Sequence, residues 1–336
     1  MRIFLCLIVV FGSLQGMSKA PPPTLAVGEN IGVRTFKYQD EKRDRPVMVE
    51  LWYPTSQTGP FDEPRDSAWV HPKEIRDVPV SEGKHPLILM SHGYGGDRRD
   101  RSWLVEHLVQ NGFIVASVEH HGNSWRSYNP LLSLRFWERA RDVSFTLSQL
   151  LNDSDLKLRI DSNRIGFVGY SMGGMTGLAL AGGKAKNVKE IVKLQAAKAG
   201  DIDLQLVEQV DFSEAQNDFS DRRIKAMVLL SPAAFVFPPK ALKNVKVPVA
   251  LVASEGDEVL PYKDHALKVI THLVPKKWML LHSKASHYVF LNRVSALGEG
   301  VLPKHMHTEE IESDRLTVHQ EVGSFVTEFF KEQLLK

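Results

Sequence analysis

Arg164-Ile165-Gly166-Phe167-Val168-Gly169-Tyr170-Ser171-Met172-Gly173-Gly174 is the stretch that decides the fold. Apolar residues at Ile165, Phe167, Val168 and Tyr170 predict a short buried strand, and Met175-Thr176-Gly177-Leu178-Ala179-Leu180-Ala181 predicts the start of a helix. The junction, Gly169-Tyr170-Ser171-Met172-Gly173, matches G-x-S-x-G, which between a strand and a helix is a nucleophile elbow. So tight a turn forces strained backbone angles on the serine, and small residues two before and two after it keep its neighbours from clashing. The Ser171 hydroxyl is therefore expected to project above a sheet, beside the N-terminus of the next helix. Without that setting the same five residues would be a Gly-rich turn with an incidental serine.

Outward from the elbow, strand-like and helix-like segments alternate. Pro86-Leu87-Ile88-Leu89-Met90-Ser91 is a continuous apolar run of the kind found in central parallel strands, and residues 113–118 repeat the pattern. An earlier strand is expected at 47–54, and later ones at 224–230, 247–253 and 277–282. Helical spacing marks 103–109, which stops at Asn111-Gly112, a long segment 131–151 and a closing amphipathic segment 318–335. This alternation predicts an α/β protein with a doubly wound, mostly parallel sheet. Residues 183–223 break the rhythm: they are polar, rich in Lys, Asp and Gln, and hold no strand-like run, so a helical insertion capping the site is expected. Residues 55–84, rich in Pro, Asp and Ser, read as a long surface excursion. Residues 34–44 carry alternating charges.

Met1 to Ala20 combine Arg2, an apolar run over 3–14 and Ser18-Lys19-Ala20 ahead of three prolines. That pattern predicts a signal peptide cut after Ala20 and a periplasmic or secreted product, with residues 21–336 forming one domain. The apolar run is too short to span a bilayer easily. Cys6 is the sole cysteine, so the processed chain would hold no disulfide, thiolate metal site or cysteine nucleophile. Lys and Arg number 42 against 40 Asp and Glu, a formal net charge of +2, and no basic stripe suggests a nucleic-acid partner.

A serine hydroxyl is a poor nucleophile and needs a base, which itself needs orienting. Behind an elbow of this kind the partners follow in the order serine, acid, histidine. Ser254-Glu255-Gly256-Asp257-Glu258 follows a predicted strand, and Gly256 puts Asp257 at the tip of the turn; Asp257 is the expected acid. Glu258 is expected to point elsewhere. Ala285-Ser286-His287-Tyr288 follows the last strand and makes His287 the expected base, with His282 its serious competitor. His120-His121 beside Glu119 lack metal-ligand spacing, and neighbouring strand residues face opposite sides. An oxyanion needs two donors. The expected ones are the backbone N–H of Met172 and that of Tyr94, in the loop His92-Gly93-Tyr94-Gly95-Gly96-Asp97-Arg98.

His92-Gly93-Tyr94-Gly95-Gly96, Gly169-Tyr170-Ser171-Met172-Gly173-Gly174, Asp257 and His287 together resemble the α/β-hydrolase superfamily over most of the chain. More narrowly, Arg45-Pro46-Val47 through Leu51-Trp52-Tyr53-Pro54 ahead of the oxyanion loop resembles the predicted dienelactone hydrolases and the related platelet-activating-factor acetylhydrolases. The resemblance implies a serine esterase for short or oxidised acyl esters, phospholipid esters among them. It also implies no calcium or other cofactor, a small-molecule ester or lipid substrate, and transient contact with a membrane surface. The chain departs from both groups. Dienelactone hydrolases use a cysteine where Ser171 stands, and plasma-type acetylhydrolases take their acid where this chain reads Leu230-Ser231-Pro232. A peptidase or acyltransferase would use the same triad, and a non-catalytic binding protein would have no need of it.

Overall fold

A computed structural model describes residues 30–62, 67–199, 203–274, 276–281, 285–307 and 314–335. The expected signal peptide and His282 lie outside the described residues. The strands are β1 (Asn30–Asp40), β2 (Arg45–Thr55), β3 (Ile75–Arg76), β4 (His85–Ser91), β5 (Ile114–Glu119), β6 (Ile160–Tyr170), β7 (Ile224–Leu230), β8 (Val249–Ser254) and β9 (Lys276–Leu281). They form one nine-stranded sheet in the order β3-β1-β2-β5-β4-β6-β7-β8-β9. β2 runs antiparallel to both β1 and β5, and every pairing from β5 to β9 is parallel.

The helices are α1 (Ser102–Val109), α2 (Pro130–Ser133), α3 (Glu138–Asn152), α4 (Leu156–Arg159), α5 (Met172–Leu180), α6 (Val188–Ala199), α7 (Leu204–Gln209), α8 (Pro239–Leu242), α9 (Ala266–His272), α10 (Ala296–Val301) and α11 (Arg315–Leu334). Strand side chains alternate between faces, so each central strand feeds two cores. Leu87, Leu89, Phe167 and Leu229 pack with α3 and α5 on one face. Ile88, Met90, Val168 and Val228 pack with α1 and α11 on the other. Both faces being covered is why β4 and β5 read as largely apolar runs.

The chain leaves β4 for β5 on one side, then crosses back to β6 on the other side of β4. That reversal opens a crevice above the carboxyl ends of β4 and β6, the usual ligand position in a doubly wound sheet. The loop beginning at His92 and the elbow at Ser171 both emerge there.

Three segments differ from expectation. The charged stretch near Arg34 belongs to β1, which pairs with β2 along its whole length; an edge-side strand needs no continuous apolar run. The long helix expected over 131–151 is two, α2 and α3, and the Ser133 carbonyl at the end of α2 accepts from the Asn123 amide (3.4 Å). The excursion over 55–84 is partly interior: Glu74 is fully buried and accepts from Trp52 Nε1 (2.7 Å) and Arg99 Nη2 (2.6 Å). The insertion, in its described residues, folds as α6, α7 and a 3-10 turn Ser213–Gln216, burying Val192, Val207 and Phe212.

Candidate active site

Ser171 occupies the sharp turn between β6 and α5 with φ 54° and ψ −115°, a conformation that L-residues hold only when the surroundings enforce it. Its N–H donates to the Leu230 carbonyl (2.9 Å), and its own carbonyl accepts from Gly174 and Ala233 N–H (2.9 Å each). The flanking glycines are steric necessities. A Cβ at Gly169 would land on the Gly173 carbonyl, and one at Gly173 on the Ser91 carbonyl. Met172 is the first residue of α5, so its N–H is one of the donors that a helix start leaves without an intrahelical acceptor.

His287 opens a 3-10 turn after β9, with Nε2 3.0 Å from Ser171 Oγ and Nδ1 2.8 Å from Asp257 Oδ2. Asp257 Oδ1 accepts from the Val259 (3.1 Å) and Leu260 (2.7 Å) N–H groups, which leaves Oδ2 aimed at the imidazole. Ser254 ties the two loops together, accepting from Gly256 N–H (3.1 Å) and donating to the Ala285 carbonyl. The backbone of His287 is held at both ends. Its N–H donates to Glu258 Oε2 (3.0 Å) and its carbonyl accepts from Tyr170 Oη (3.0 Å). Glu258 therefore does not point elsewhere; with Asp257 already on the imidazole, its longer stem reaches the His287 amide. Burial pushes the Tyr170 hydroxyl well above its usual pKa, so it stays a donor. Exposure falls to 5% at Asp257 and 3% at His287 and is 9% at Ser171, so the chain of contacts opens to solvent mainly at the serine.

The loop from His92 lies against Ser171: a Cβ at Gly93 would sit 3.4 Å from Ser171 Cβ. His92 points inward, its Nε2 accepting from His120 N–H (3.1 Å) and its Nδ1 donating to the Gly93 carbonyl (2.6 Å). The Gly93 carbonyl and the Tyr94 N–H belong to one trans peptide and point in opposite directions. Holding the carbonyl on His92 therefore turns the Tyr94 N–H away from His92. Aromatic side chains rim the loop. Tyr94 Oη lies 2.6 Å from Tyr128 Oη, while Trp125, 62% exposed, donates its backbone N–H to the Gly96 carbonyl (3.3 Å).

Other histidines serve the core. His265 accepts from Ala234 N–H (3.3 Å), His319 donates to the Val289 carbonyl (2.9 Å), and His120 is enclosed between Ser91 and Asp142. Among the described residues, no group of three or more His, Cys, Asp or Glu side chains is placed to hold a metal ion.

Residues 70–131, which contain the loop from His92, match the family model for "Platelet-activating factor acetylhydrolase, isoform II". Cutinase 2 of Thermobifida cellulosilytica is 30% identical over 105 residues, covering 31% of this chain and 37% of that protein. The acylamino-acid-releasing enzyme of Mus musculus is 26% identical over 219 residues, 60% of this chain and 28% of that protein. The chain thus spans about a third of the length of these curated relatives. Among solved structures, a ferulic acid esterase from Streptomyces cinnamoneus superposes with a TM-score of 0.62 at 19% identity, over 92% of this chain and 90% of that one. The protein has the α/β-hydrolase fold.

Proposed function

We propose that the protein is an exported serine carboxylesterase acting through an acyl-enzyme on short or oxidised acyl esters, phospholipid-derived esters among them. The observation that carries this reading is the run Ser171–His287–Asp257 at 3.0 and 2.8 Å, with the serine at positive φ on an elbow. Ser171 Oγ attacks the ester carbonyl while His287 Nε2 takes its proton. Asp257 holds the imidazole with its proton on Nδ1 and offsets the charge it acquires. The Tyr94 and Met172 N–H groups stabilise the oxyanion, where one donor is worth a hundred- to a thousandfold in rate. His287 then protonates the leaving alcohol, and water activated by the same imidazole releases the acid. None of these steps needs a metal or organic cofactor.

The match to acetylhydrolases through the oxyanion loop, the likeness to cutinases and the exposed aromatics around Tyr94 support an ester with an apolar acyl group. Residues 183–223 act as the cap in this reading, supported by the packing of α7 against α2, directly after the aromatic rim. The likeness to an acylamino-acid-releasing enzyme favours one rival, a peptidase on the same triad. A panel of p-nitrophenyl esters of graded chain length, set beside a peptide amide and a short-acyl phospholipid, separates them. Esters cleaved and the amide untouched is the expected result. Amide cleavage at comparable kcat/KM would move the assignment to the peptidase.

A further inference from the structure

Behind the oxyanion loop lies a second polar chain that the triad does not use. Asp142 on α3 accepts from His120 Nδ1 (3.0 Å), and His120 Nε2 faces Ser91 Oγ at 2.9 Å. Because His120 gives its proton to the carboxylate, Nε2 is the acceptor for the Ser91 hydroxyl, and the serine oxygen turns its lone pair to Arg139 Nη2 (3.4 Å). Asp142, His120 and Ser91 are fully buried, and Arg139 is 1% exposed. Asp142 also binds Arg45 through Nε (2.7 Å) and Nη2 (2.9 Å), which with His120 outweighs its burial and holds the carboxyl well below its usual range.

Arg139 carries four hydrogen bonds from three nitrogens. Nη2 donates to the His92 carbonyl as well as to Ser91, Nη1 to Asn123 Oδ1 (2.6 Å), and Nε to Thr176 Oγ1 (3.3 Å). Thr176 in turn donates its hydroxyl to the Met172 carbonyl (3.2 Å). One guanidinium therefore reaches both segments that line Ser171, the loop directly at the His92 carbonyl and α5 through the Thr176 hydroxyl. The His92 carbonyl leads into the peptide pair before Tyr94, and Thr176 braces the first turn of α5, which begins at Met172. Among the described residues no carboxylate contacts this buried cation directly, which makes it expensive; burial lowers its pKa to about 9, with Asp142 opposing. Packing alone would favour an apolar residue of the same volume here.

We infer that Arg139 is a positioning residue of the oxyanion hole, fixing at once the loop that presents the Tyr94 amide and the helical turn that presents the Met172 amide. The inference rests on Ser171 being the nucleophile. It assigns Arg139 a role that Asn123, Ser91, His120 and Asp142 serve by holding the guanidinium in place.

The test compares Arg139→Met, Arg139→Lys and Thr176→Val with wild type in the full chain. Active enzyme is counted by titration with an organophosphonate, and p-nitrophenyl acetate is the substrate. Arg139→Met should lower kcat per titrated site by about a hundredfold, the scale of one lost oxyanion donor, with KM within about threefold. Inhibition by an aryl trifluoromethyl ketone, which places an oxyanion in the same hole, should weaken by the same factor as kcat. Arg139→Lys, which can still donate to the His92 carbonyl, should recover about tenfold of the loss. A purely structural arginine would lower the titrated fraction and leave kcat and ketone inhibition per site unchanged, and that result overturns the inference. Should Arg139→Met fail to fold, Thr176→Val decides: a fall in kcat of about threefold or more at constant KM supports the inference, and no change refutes it. Wild type that takes up no phosphonate removes the serine reading itself, a failure visible before any variant is measured.

Discussion

Replacing Asp257 with asparagine should abolish most activity while leaving the fold nearly intact, and the geometry says why. Asp257 Oδ1 is committed to the Val259 and Leu260 N–H groups, two donors that need an oxygen acceptor. An asparagine oxygen will therefore take that place and its amide nitrogen will face His287 Nδ1, now 2.8 Å from a carboxylate oxygen. Two donors cannot face each other, so the histidine proton moves to Nε2, against Ser171 Oγ, and the base is lost. The same tautomer switch in a serine protease lowers kcat about 10⁴-fold, a barrier rise of about 5.4 kcal/mol. Initial rates on p-nitrophenyl acetate, beside thermal melts of both proteins, measure the effect. Glu255→Gln and Glu258→Gln should each stay within about tenfold, or about 1.4 kcal/mol. Glu255 is exposed, and glutamine at 258 keeps an oxygen for the His287 amide. A folded Asp257→Asn within tenfold of wild type, or an equal loss at Glu258→Gln, would refute the assignment of Asp257 as the acid.

Other outcomes follow from the same geometry. Gly173→Ala puts a methyl against the Ser91 carbonyl, with backbone on both sides, and should destabilise the protein by about 3 kcal/mol in chemical denaturation; a change below about 1 kcal/mol would contradict the steric reading. Stability should decline on acidification. Burial depresses His120 from 6.5 to about 3 in the native state and Asp142 also sits below its usual value, so the unfolded chain binds more protons and melting temperature should fall from about pH 6.5 downward. The buried His71, His92 and His319 are depressed in the same direction, so a flat profile between about pH 7 and pH 4 would contradict the neutral burial of this set, His120 included. Shortening the insertion 183–223 should alter acyl-chain preference more than the rate on the acetate ester; equal losses in a folded variant would make it a structural element and not a cap.

Much of this was legible in the residues because local sterics and two-sided burial leave marks in one dimension. Gly169 and Gly173 announce a turn at which no Cβ fits, and the apolar runs of β4 and β5 announce strands covered on both faces. The chain order serine, acid, histidine points to Ser171, Asp257 and His287, which the fold brings within hydrogen-bond distance, Ser171 and His287 from 116 positions apart and Asp257 and His287 from 30. β1 carries no such mark, because its side chains beside an outer strand are mixed in polarity. The interior polar partners escaped for a different reason. His120 shows in sequence only as one of two adjacent histidines, because its partners, Ser91 and Asp142, come from β4 and α3 and pair only in three dimensions. A usable signal existed in α3, where Arg139 and Asp142 interrupt the stripe carrying Ala140 and Val143; charges at such positions imply a buried network. Tyr170 and Glu258, which hold the His287 backbone, left no mark, because side-chain to backbone bonds across loops have no sequence period.

That Ser171 is the activated nucleophile is tested most directly by treating the folded protein with an organophosphonate and locating the adduct by mass spectrometry. One phosphonyl group per chain on the peptide containing Ser171, absent in Ser171→Ala and slowed in His287→Ala, is the predicted result. No adduct in protein that melts cooperatively, or an adduct on another residue, would contradict it and leave the fold without the chemistry assigned to it.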